Sequence, residues 1–176
     1  MFGWGQKKDA AVVETVCTRL RPLFGILEHR LGCLPPSLTG DPYVIGYVVG
    51  AATIFAQIET SGKATTELKG LVSLSALQSV FASVGFTQQD ASRAMHIMAA
   101  HPDGRKGARA ADLIIGVGAG KTDMDNEPEI RAAKQAVSAM SESIRNMLGG
   151  SPQSLLMNEL QEQLFFAPLE VKYAKQ

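Results

Sequence analysis

The sequence has few of the residues that make covalent or metal cross-links. It contains 2 cysteines, Cys17 and Cys33, and their spacing matches no metal-binding motif. We therefore expect two buried, reduced thiols, and we predict neither a bound metal nor a cofactor. We also expect no secretory signal, because Lys7 and Lys8 follow a short start without an apolar segment. This pattern predicts a cytoplasmic protein.

An excess of charge of either sign is missing as well. The chain has 17 basic and 17 acidic residues, and its net charge is zero with histidine neutral. This balance argues against a protein that coats nucleic acid non-specifically, and it leaves little electrostatic repulsion to oppose self-association. With 176 residues and 45% hydrophobic residues, the chain is long enough for one domain with a full core. We predict this domain at 9–167, between a flexible N-terminal tail (1–8) and a frayed C-terminal tail (168–176).

No segment alternates apolar and polar residues as a half-buried strand does, and no repeat of fixed period is present. Apolar residues instead recur at helical spacing, most clearly over 9–31, 66–84 and 130–147. We predict an all-α, single-domain bundle of about six to eight helices.

The helix predicted at 42–61 is the centre of this bundle. Asp41 is expected to cap it and proline follows at the first helical position. The run 43–58 carries no charge and is shorter than the roughly 20 apolar residues of a membrane span, so no integral membrane span is predicted. Gly46 and Gly50 each cost about 1 kcal/mol relative to alanine inside a helix. We therefore expect another backbone to pack closely against them.

One segment of the sequence has a pattern used in DNA recognition. Gly85 permits a turn, Phe86 supplies a hydrophobic residue, and Thr87 is a helix cap followed by a polar helix. This segment, 74–99, resembles the helix-turn-helix of bacterial repressors, although the motif normally has a small residue where this chain has Phe81. The resemblance implies a recognition helix whose outward side chains contact base edges in the major groove. These side chains are Gln88, Gln89, Ser92, Arg93 and His96. The same order of residues is also typical of an ordinary helical hairpin.

Two other patterns fall short of ligand-binding motifs. The segment 116–122 ends in Gly-Lys-Thr, but the first glycine of a phosphate-binding loop would fall on Ile115. We interpret it as a flexible linker. The acidic segment 123–129 begins like a calcium loop, but Pro128 and Lys134 occupy the positions of the required glycine and glutamate. We interpret it as the acidic start of a helix.

No catalytic grouping is recognisable in the sequence, and no class of small-molecule ligand is indicated. We predict a non-catalytic helical interaction or scaffold module that self-associates or binds a protein partner. The alternative is a DNA-binding regulator that uses 74–99. A third hypothesis is an enzyme whose site residues are dispersed along the chain.

Overall fold

The computed structural model describes residues 3–121, 123–148 and 150–174. Every regular element in these residues is helical and none is a strand, which confirms the all-α prediction. By its contacts the chain divides into two compact units, Met1–Ala111 and Asp112–Gln176.

The first unit contains helices α1 (Gly3–Leu31), α2 (Pro42–Glu59), α3 (Thr66–Val80), α4 (Gln88–Ala100) and the start of α5 (Pro102–Gly118), with 3-10 turns at Pro36–Gly40 and Ala82–Val84. The second unit contains the end of α5, then α6 (Pro128–Ala139), α7 (Glu142–Leu148), α8 (Pro152–Gln161) and α9 (Ala167–Tyr173). A π-helical segment, Glu162–Phe166, joins α8 to α9 without a break. If α8 and α9 are counted as one continuous helix, the described residues form eight helices, which is within the predicted range.

Helix α1 is longer than the sequence indicated. Residues 3–8 of the predicted flexible tail are helical, and Met1 and Phe2 lie outside the described residues. Pro22 lies inside α1 and does not end it. Val16, Leu20, Phe24 and Leu27 are buried on both sides of this proline. Their packing against α2 and α3 offsets the hydrogen bond that proline cannot donate.

The two cysteines differ in exposure. Cys17 is buried in α1, as predicted, whereas Cys33 is exposed and the prediction of a buried thiol there is wrong.

The predicted frayed tail at 168–176 is helical as far as Tyr173. Leu169 and Tyr173 are buried there, four residues apart on one side of α9. This burial explains why the helix continues through a charged stretch of sequence. Residues 175 and 176 lie outside the described part of the chain.

Helix α2 is held at both ends by local backbone chemistry. The side chain of Asp41 accepts hydrogen bonds from the backbone N–H groups of Tyr43, at 2.9 Å, and Val44, at 3.4 Å. The helix ends at Glu59, slightly before the predicted boundary, because Ser61 and Gly62 adopt left-handed backbone angles with φ of 51° and 83°. It packs against α1, α3 and α4 within the first unit.

In the part of the chain that the structure describes, α2 is also the one helix whose length and composition would suit a membrane span. Such a helix is equally typical of a protein core, so this finding is a weak indication. Eight residues of α2 are buried by the protein itself.

The glycine face of α2 lies against the backbone of α5. A methyl group added at Gly46 would lie 2.7 Å from the carbonyl carbon of Gly104, and one added at Gly50 would lie 2.8 Å from the Cα of Ala108. The contact is reciprocal, since a methyl group at Gly107 would lie 2.8 Å from the backbone nitrogen of Tyr47. Main chain therefore touches main chain at this crossing, and a side chain larger than hydrogen has no room.

In the sequence, Pro-Asp-Gly at 102–104 predicts a turn and 105–115 predicts a short helix. Helix α5 starts earlier and ends later than this predicted helix. It begins at Pro102, so the predicted turn at 102–104 is the first turn of the helix. It continues through Gly116 to Gly118, and Gly120 then adopts a left-handed φ of 77°. That left-handed residue ends the helix in the usual way.

The apolar stripe predicted as one helix over 130–147 is divided in two. Met140 has extended backbone angles, so α6 ends at Ala139 and α7 begins at Glu142. The hydroxyl of Ser141 accepts a hydrogen bond from the N–H of Ile144 at 3.3 Å, which starts the new helix.

Candidate functional site

Helix α4 begins with a complete capping box. The hydroxyl of Thr87 accepts the N–H of Asp90 at 3.2 Å, and the carboxylate of Asp90 accepts the N–H of Thr87 at 3.0 Å. Gly85, with φ of 71°, makes the preceding turn. The hydroxyl and N–H of Thr87 both donate to the carboxylate and lower the pKa of Asp90. The start of α4 is thus fixed by its own local chemistry.

The side chains that the helix-turn-helix hypothesis assigns to DNA contact all lie on the exposed side of α4. They are Gln88, Gln89, Ser92, Arg93 and His96. Ala91 and Ala94 are buried on the opposite side. The small size of these alanines lets α4 lie close to α2 and α3, its neighbours in the first unit. The structure therefore brings the five predicted residues together on one surface of a well-anchored helix.

Phe81 occupies the position at which the motif normally has a small residue. It is fully buried, and its ring packs edge-to-face against Phe24 at 5.6 Å and Phe86 at 5.2 Å between centroids. The turn before α4 therefore rests on an aromatic cluster. This packing is typical of a structural helical hairpin.

The charges near α4 are partly neutralised by neighbouring carboxylates. Arg93 lies 3.8 Å from the carboxylate of Asp90, and Lys106 at the start of α5 lies 2.7 Å from that of Asp103. An open cavity of about 360 Å³ beside α4 is lined by Arg93, Asp90 and the half-exposed Ile97, among others. This surface is of mixed charge, with an apolar component.

The glycine-containing segment 116–122, interpreted from the sequence as a flexible linker, is helical as far as Gly118 and forms the carboxyl end of α5. The amide of Gln153 donates to the carbonyl of Val117 at 2.7 Å, and Lys121 lies 3.5 Å from the carboxylate of Asp112. Phosphate binding requires N–H groups at the start of a helix, whereas this end presents carbonyl oxygens. Thr122 lies outside the described residues.

The acidic segment 123–129 leads into the first turn of α6, as the sequence indicated. Asp125 forms an ion pair with Lys134 of α6 at 2.9 Å. Over 3–121, 123–148 and 150–174, no group of three or more histidine, cysteine, aspartate or glutamate side chains is placed to hold a metal ion.

Helix α7 differs from its neighbours in how little of its described surface is buried. Ile130 and Ala133 anchor α6, and Leu155 and Leu160 anchor α8. In α7, by contrast, every side chain whose exposure is described is exposed. Among these side chains, the apolar Ile144 and Leu148 are 48% and 53% exposed.

A groove of about 530 Å³ lies in the same unit, between the end of α5, α6 and the start of α8. Its apolar lining comes from Val117, Val137 and Leu156, and its rim carries Lys121, Asp125 and Lys134. No described residue of α7 lines this groove, which we call the α6–α8 groove.

Comparisons of the chain with known protein families, curated proteins and solved structures found no match.

Two features of these surfaces escaped the sequence interpretation. Gly104 and Gly107 were assigned to a turn and a short helix, although their spacing with Ala108 matches one face of a helix. The isolation of α7 was also missed, because its apolar residues continue the period of α6. The signal for the break was Ser141, a favourable capping residue in the middle of the stripe.

Proposed function

We propose that this protein is a cytoplasmic, non-catalytic helical interaction module that associates with itself. The observation that carries the proposal is the exposure of α7. An isolated helix of seven residues is far shorter than the roughly 12–15 residues at which helices become marginally stable in water. Helix α7 buries none of its described side chains within its own chain. A second protein surface that covers Ile144 and Leu148 would supply the missing stabilisation.

The balance of charge favours association of the chain with itself over binding to a strongly charged partner. With 17 basic and 17 acidic residues, two copies of this chain experience little net repulsion. Exposed apolar side chains on a nearly neutral protein favour association with an equally neutral surface.

We expect the mass in sedimentation equilibrium to rise with concentration. Across about 1 to about 100 μM, the range of weak specific interfaces, the weight-average mass should climb from the 18.8 kDa of one chain toward twice that value. A mass that stays at that of one chain throughout this range would refute self-association.

DNA binding through α4 is the second candidate function. It is favoured by one observation, the exposed row from Gln88 to His96 on a helix whose start is fixed by a capping box. Glutamine and arginine side chains make bidentate contacts with adenine and guanine. The neutral chain and the carboxylate beside Arg93 weigh against this function.

Fluorescence anisotropy of a labelled DNA duplex tests this second function. If α4 reads DNA, binding should weaken between about 50 and about 200 mM salt, and Arg93→Ala should weaken it about tenfold or more. Arg131→Ala removes an exposed arginine from α6 and is the matched control. Absence of binding at the lower salt concentration, or equal effects of the two substitutions, would exclude DNA recognition by α4.

A further inference from the structure

We propose that α7 of one copy docks into the α6–α8 groove of a second copy, whose own α7 docks in return into the groove of the first. The inference rests on the self-association proposed above and identifies the surfaces that carry it. Both surfaces belong to the second compact unit. One two-fold axis therefore relates the two contacts, as in the commonest class of homodimer.

The apolar parts of the two surfaces are complementary in size. Ile144 and Leu148 are four residues apart, so they project from the same side of α7. The groove offers about 530 Å³ above Val117, Val137 and Leu156, within the usual size of protein binding pockets. A pair of branched aliphatic side chains is the kind of group that such a lining takes up.

The charged parts are complementary as well. The groove rim carries both signs, in the solvent-accessible ion pair between Lys134 and Asp125. Helix α7 also carries both signs, since Glu142 and Arg145 lie three residues apart. Exposed ion pairs exchange partners at little cost, so Glu142 can approach Lys134 while Arg145 approaches Asp125. A partner with charges of a single sign would leave one rim charge opposed by a like charge.

The connections of α7 suit this exchange. Extended backbone at Met140 separates α7 from α6, and a glycine pair at 149–150 precedes α8. A seven-residue helix is about 10 Å long, so even two docked helices form an interface at the small end of the known range. We therefore expect a reversible dimer with a dissociation constant in the micromolar range.

Sedimentation of charged variants tests the docking. Ile144→Asp in α7 and Val137→Asp in the groove should each raise the dimer dissociation constant about 100-fold or more, because each places a carboxylate in the apolar contact of both halves. Val171→Asp changes a residue of α9 that is 80% exposed and should leave the constant unchanged. Circular dichroism of each variant checks that the helices remain folded.

Mixing the two variants separates this docking from any other self-association. A heterodimer of Ile144→Asp with Val137→Asp retains one unaltered helix in one unaltered groove. The mixture should therefore dimerise more tightly than either variant alone. A wild-type dimer that resists both substitutions, or a mixture no tighter than its components, would overturn the docking while leaving self-association intact. A wild-type chain that stays monomeric would overturn both.

Discussion

Gly107→Ala is expected to destabilise the first unit by about 3 kcal/mol or more, although alanine is the better helix former. The added methyl group would lie 2.8 Å from the backbone nitrogen of Tyr47 and 2.9 Å from the carbonyl carbon of Tyr43. Neither atom belongs to a side chain that can rotate away, so α2 and α5 must separate. For a unit of this size, the loss corresponds to a fall in melting temperature of about 10 °C or more, which scanning calorimetry measures.

Gly70→Ala is the matched control for this substitution. Gly70 also lies inside a helix, α3, but a methyl group added there meets nothing within 4 Å. The same chemical change should therefore stabilise the protein by up to about 1 kcal/mol through helix propensity alone. If both substitutions shift the melting temperature in the same direction and by similar amounts, the close crossing of α2 and α5 is wrong.

Phe81→Ala is expected to reduce the free energy of unfolding by about 3–5 kcal/mol. Phe81 has no exposed surface, and its removal would leave a cavity between the rings of Phe24 and Phe86. Urea denaturation followed by circular dichroism measures the loss.

Phe86→Ala is the natural comparison, since Phe86 touches the same cluster but is only half-buried. Its loss of stability should be clearly smaller than that of Phe81→Ala. A cost below about 1 kcal/mol for Phe81→Ala would show that the turn before α4 does not depend on this cluster. It would also show that this position accepts a small residue, as a helix-turn-helix normally has there, so that Phe81 would no longer count against that motif.

The helical class and the position of α2 were predictable because they depend on local signals. Apolar spacing, the Asp41-Pro42 start and the glycine at 62 act over a few residues, and the sequence shows them directly. The exposed row on α4 was predictable for the same reason. Its capping residue and its small buried alanines fix which side of the helix faces water.

The remaining features depend on contacts between distant segments. Nothing local indicates that Gly104 and Gly107 pack on a helix some 60 residues earlier, because a glycine near a proline is equally typical of a turn. The break at Met140 is hidden because the apolar period continues across it. The α6–α8 groove arises from the packing of several helices, so the spacing of residues in the sequence does not show which of them line it.

The π-helical segment between α8 and α9 has a consequence for how this region tolerates change. A single added residue in a helix rotates everything beyond it by about 100°. The widened turn at Glu162–Phe166 absorbs such a residue, and Phe165 and Phe166, adjacent in sequence, are both buried with their rings edge-to-face at 5.4 Å. Loss of one residue there would restore a regular helix but turn Leu169 and Tyr173 away from their present direction. The direction of the buried side of α9 is therefore set by the π-helical segment before it. The number of residues in that segment matters more than the identity of the exposed side chains in this region.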